Sequence, residues 1–145
     1  MKSKLIAFLL TLAAPLAFGH GGVELGPNGG RILELSKNET LHGEVTLKDG
    51  KFHLALLDKD MKPIAAKEEV ITVTAGDRSK PEKLAVEKLG DHFVFPAVKA
   101  GEWVIVQFKE NAKAKAITAR FEFDPAACEK CKAPEWLCKC SAEKK

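Results

Sequence analysis

From Arg31 to Asp124 the apolar residues recur mainly with period two, and turn residues interrupt them every 8–12 positions. Successive side chains of a strand point to opposite faces, so this rhythm lays the apolar residues on one face of each segment. Short strands at such spacing predict an all-β fold, an antiparallel immunoglobulin-like β-sandwich of seven or eight strands. The same rhythm points to an antiparallel sandwich or barrel rather than to a parallel sheet with crossover helices. The clearest piece is Leu41–Leu57, where Leu41, Val45 and Leu47 alternate with His42, Glu44 and Thr46 before Asp49-Gly50. Asp-Gly suits a type I′ hairpin turn, whose two central residues need positive φ. Pairing Lys48 with Lys51 then sets Leu47 beside Phe52 and Val45 beside Leu54 on one buried face.

The same reading places strands at Arg31–Leu35, at Val70–Thr74 ending at Gly76-Asp77, and at Lys83–Lys88 turning through Gly90-Asp91 into His92–Phe95. Pro81–Leu89 is also compatible with a short helix. Trp103–Lys109 and Ala116–Phe123 complete the set, and Asp124-Pro125 closes it. The chain therefore divides into residues 1–19, a sandwich over 20–124 and a cysteine-rich tail over 125–145.

The first segment reads as a signal peptide. Lys2 and Lys4 precede an apolar run from Leu5, and Ala17 and Gly19 occupy the −3 and −1 positions of a cut after Gly19. The run is shorter than the roughly 20 apolar residues of a membrane span. A periplasmic or secreted protein is expected. Without Lys2 and Lys4 the 23 basic residues fall to 21, against 20 acidic ones, which is no footprint for nucleic acid. No nucleophile elbow, phosphate-binding glycine loop or zinc-protease helix occurs, so a binding protein is expected rather than an enzyme.

All four cysteines fall in the last 18 residues, as Cys128-x2-Cys131 and Cys138-x-Cys140. In an oxidising compartment four thiols can form two disulfides, in three connectivities. Equally, four clustered thiolates make a tetrahedral Zn2+ site or a Cu(I) site, soft ligands for a soft ion. Spacing alone leaves both open. Trp136, within the tail, is expected to pack it onto the sandwich.

Four histidines add nitrogen donors: His20, His42, His53 and His92. A cut after Gly19 leaves His20 as the N-terminus, where amine and imidazole chelate one ion. A cut after Ala17 puts His20 third, a position that also suits Cu(II). The hairpin register places His42 and His53 on the outward face, but His53 opposes Thr46, so about 13 Å separates it from His42. A copper site would therefore combine His42 with Glu44, with or without His20, or else use His53 alone with another group. His92, beside its Gly-Asp turn, is expected to be exposed.

Gly26-Pro27-Asn28-Gly29-Gly30-Arg31-Ile32-Leu33-Glu34, followed by Leu41-His42-Gly43-Glu44-Val45, resembles the small N-terminal β-domain of periplasmic adaptor subunits of heavy-metal efflux systems and their secreted relatives. Those often read Gly-Pro-His-Gly-Gly, where this chain has Asn28. The resemblance implies a metal-handling domain that binds copper or zinc for buffering, delivery or resistance, with a metal-efflux or envelope protein as partner. The competing expectation, from the tail chemistry, is a structural or protein-interaction sandwich stapled by disulfides.

Overall fold

The computed structural model describes residues 22–140; the signal-peptide reading of 1–19 and the copper reading of His20 lie outside them. Among the described residues ten strands form: β1 (Arg31–Glu34), β2 (Leu41–Lys48), β3 (Lys51–Asp58), β4 (Pro63–Ile64), β5 (Val70–Asp77), β6 (Lys80–Leu84), β7 (Glu87–Leu89), β8 (His92–Pro96), β9 (Trp103–Lys109) and β10 (Ile117–Glu122). A 3-10 turn, Glu135–Leu137, lies in the tail. One sheet runs β1-β2-β3-β8-β7, with β4 also on β3, and the other runs β10-β9-β5-β6. Every pairing is antiparallel. Among the described residues no helix is long and apolar enough to cross a membrane.

The β2–β3 hairpin has the expected register, Lys48 opposite Lys51, Leu47 opposite Phe52 and Val45 opposite Leu54. Its turn has φ 52° at Asp49 and 73° at Gly50, as a type I′ turn requires. Leu47 shares the core-facing parity yet stays 42% exposed, because the hairpin end reaches past the edge of the core.

Two strand expectations are corrected. The strand from Val70 does not stop before Gly76 but runs through it to Asp77, and the reversal follows at Ser79, where the Asp77 carboxylate accepts the backbone N–H and the hydroxyl. The segment expected as one strand over Lys83–Lys88 is two strands in different sheets. Leu84 pairs with Val73 of β5, whereas Lys88 pairs with Phe93 of β8. The chain crosses between layers at Ala85-Val86, and this split, with the two-residue β4, raises the strand count to ten.

The core lies between the sheets. Val45, Phe52, Leu54 and Phe95 come from one layer, and Val73, Val104, Val106, Phe108 and Phe121 from the other. Phe52 is the hub: its ring centroid is 5.5 Å from Phe95, 5.6 Å from Phe121, 5.2 Å from Phe123 and 5.7 Å from Trp136. Trp136 is 4% exposed, so the tail contributes a core side chain, as its sequence predicts.

Candidate metal centre

Beyond β10 the chain folds back as a small loop of its own. Cys128 N–H donates to Ala133 O at 2.8 Å and Lys132 N–H to Cys128 O at 2.9 Å, beside an antiparallel bridge between Ala127 and Pro134. Lys132 takes φ 63°, the left-handed bend that reverses the chain just after Cys131. The 3-10 turn then brings in Cys138. Glu135 N–H donates to Ala126 O at 2.8 Å within the tail, and two bonds hold the loop to the sandwich: Trp136 N–H to Asp124 O at 3.0 Å and the Arg31 guanidinium to Trp136 O at 2.6 Å.

The result is a quartet. One Sγ from each of Cys128, Cys131, Cys138 and Cys140 lies within 4.8 Å of all the others, with Cys131 and Cys138 3.5 Å apart. Metal–sulfur bonds of about 2.3 Å in a tetrahedron set neighbouring sulfurs about 3.8 Å apart. The thiols therefore already stand near the spacing that a four-coordinate ion imposes. Cys128 and Cys138 are buried, Cys140 is half-buried and Cys131 is exposed. The cluster is closed toward the protein and open at one sulfur.

Backbone dipoles are aimed at the sulfurs. Cys140 N–H donates to Cys138 Sγ at 3.3 Å. The Cys131 N–H, then the Cys138 thiol and the Lys130 N–H, lower the Cys128 thiol to about 7. The same sharing works in reverse at Cys138, which the Cys128 interaction and burial push up to about 12. Cys140 is also raised, chiefly by its contact with Cys131. Hydrogen bonds to the charged form favour it. The metal-free cluster thus holds its first thiolate at Cys128, and a cation entering it displaces protons from the rest.

The histidine–carboxylate set is placed differently from its expectation. His42 and Glu44 do not face solvent: His42 is 5% exposed and Glu44 1%. His42 Nδ1 lies against the Glu34 carboxylate of its cross-strand partner. Glu44 Oε1 accepts Asn28 N–H at 2.8 Å and Gly30 N–H at 2.9 Å, while Oε2 accepts Asn28 Nδ2 at 2.8 Å. Alternation assigned both residues to one face correctly, but it carried no sign that residues preceding β1 cover Glu44. Neither side chain joins the cysteine quartet.

His53 does oppose Thr46, yet its ring meets His92, with Nδ1 3.2 Å from Nε2. His92 is accordingly half-buried rather than free on the surface. Sequence reasoning missed this pair because its members are 39 positions apart and meet only through the β3–β8 pairing, which no local pattern encodes. Compared with protein-family models, curated proteins and solved structures, the chain matches none. The chemistry is therefore read from the site's own geometry.

Proposed function

We propose that Cys128, Cys131, Cys138 and Cys140 hold one thiophilic ion, Zn2+ or Cu(I), and that the protein is a periplasmic or secreted metal-handling sandwich that buffers or delivers it. One observation carries this reading: four sulfurs gathered within 4.8 Å of one another on a loop whose backbone N–H groups already point at them. Four protein thiolates complete a tetrahedron and leave no open position for a reacting water, which favours binding over catalysis. The leader-like first nineteen residues support export, and His20 at the resulting N-terminus supplies a separate Cu(II) position. The likeness of residues 26–45 to efflux-adaptor domains supports delivery to an envelope efflux protein.

The test is metal stoichiometry and intact mass on full-length chain expressed with its leader and purified without chelator or reductant. One equivalent of zinc or copper per chain is expected, lost when Cys128 and Cys138 are replaced by Ser. Co2+ loading should give the intense thiolate-to-cobalt absorption of a tetrahedral sulfur site. A metal-free chain whose intact mass is lower by the four hydrogens of two disulfides overturns the reading in favour of a stapled tail.

A further inference from the structure

The first sheet carries two histidines that the thiol quartet does not use. His53 on β3 and His92 at the start of β8 are diagonal cross-strand neighbours, since His53 stands opposite Val94 and His92 opposite Ala55. Their rings stack with centroids 5.3 Å apart and 30° between planes. His53 Nδ1 and His92 Nε2 are separated by 3.2 Å, and on the far side His92 Nδ1 faces the Asp91 carboxylate at 3.2 Å. A carboxylate there keeps the His92 proton on Nδ1 and turns the Nε2 lone pair toward His53. With His92 in that tautomer, a proton on His53 Nδ1 would be donated to that lone pair across the 3.2 Å contact.

We infer that His53 and His92 form a second, two-nitrogen metal site for a borderline divalent ion such as Ni2+ or Cu2+. Metal–imidazole bonds of about 2.0–2.1 Å separate two nitrogens by about 2.9 Å at a right angle and about 3.4 Å in a tetrahedron. The observed 3.2 Å lies between these limits, so one ion spans the pair once the stacked rings turn to aim both lone pairs at it. The ion takes the place of the shared proton. His53 moves from its Nδ1–H to its Nε2–H tautomer, both facing nitrogens donate lone pairs, and no net proton is released.

The surroundings fit neutral ligands. Burial, His92 and then Lys48 hold His53 below its ordinary imidazole value. Asp91 supplies negative charge behind His92. Asn28, Thr46 and Lys48 line the same small hollow, which leaves the remaining coordination positions to water. Glu44 also borders it, but its oxygens are engaged by the 28–30 loop. This inference does not depend on the thiol reading, since no sulfur takes part.

The experiment titrates Ni2+ into full-length chain whose cysteines are already occupied, by zinc or by disulfides, and follows the histidine ring signals by nuclear magnetic resonance. Paramagnetic broadening is expected first at His53 and His92, and lost in His53→Gln and His92→Gln. Asp91→Asn, which removes only the orienting carboxylate charge, should weaken binding about tenfold while leaving the thermal midpoint in place. Broadening confined to the neighbourhood of His20, or unchanged in both Gln variants, overturns the inference. Should a variant fail to fold, the wild-type spectra alone locate the ion.

Discussion

Glu44 shows how one side chain can organise a whole motif. Its buried carboxylate gathers two backbone N–H groups and one side-chain amide from Asn28 and Gly30, and Gly26 and Gly30 are glycines for room, whereas Gly29 serves its φ of 75°. A Cβ on Gly26 would sit 2.5 Å from Glu44 Cδ, and one on Gly30 would sit 2.5 Å from Val45 O. Distances under 3.0 Å force something to shift, so the Gly-rich sequence is the imprint of a loop closing over a carboxylate. Glu44→Ala should therefore destabilise the fold by about 2–4 kcal/mol, because three donors lose a charged acceptor at once. Glu44→Gln, which keeps one acceptor oxygen, should cost about half as much. Urea unfolding of the two variants checks the order. Equal, negligible losses would show that the loop closes without the carboxylate.

At the scale of the element, the tail loop behaves as a proton-sharing unit, and its titration has a definite sign. Cys128 is lowered to about 7, below the ordinary thiol value of about 8.5. Between those values the unfolded chain binds more protons there, so Cys128 contributes stability above about 8.5 that is lost as pH falls through about 7. Cys138, raised to about 12, acts oppositely: the folded chain binds more protons above about 8.5, and stability falls as pH rises. In metal-free reduced protein, thiolate ultraviolet absorbance should show one step near pH 7 that disappears in Cys128→Ser. Persistence of that step in the variant would assign the first thiolate elsewhere.

The elements also mark how far the sequence could be read. The hairpin over Leu41–Leu57 was legible in both turn and register, because Asp49-Gly50 and the alternation on each side constrain each other. Lys83–Lys88 was not, since a crossing between layers leaves no turn residue: Ala85 and Val86 look like strand. The quartet was legible as a cluster from its crowding alone. Its three-dimensional form needed the left-handed Lys132, a residue type that does not announce a reversal. The His53–His92 pair needed the strand order itself.

For the whole molecule the decisive fact is that the cysteine loop and the sandwich share one core. Trp136 stands two residues before Cys138 and stacks on Phe121 at 5.7 Å, while its ring edge meets Phe52 and Phe123. Arg31, at the opening of the first sheet, holds the Trp136 carbonyl and lies 5.9 Å over the Phe121 ring. An ion that orders the cysteines therefore fixes the position of a core aromatic, and its binding energy reaches both sheets. Zinc at a thousand times its dissociation constant should add about 4 kcal/mol of stability, which raises the thermal midpoint by roughly 10–20 °C for a chain of this size. Chelation should reverse that gain in a single cooperative transition, seen identically by tryptophan fluorescence and far-ultraviolet circular dichroism. An early, separate melting of the tail, with the sandwich midpoint unmoved by chelator, would mean that Trp136 packs on the core without coupling it to the thiols.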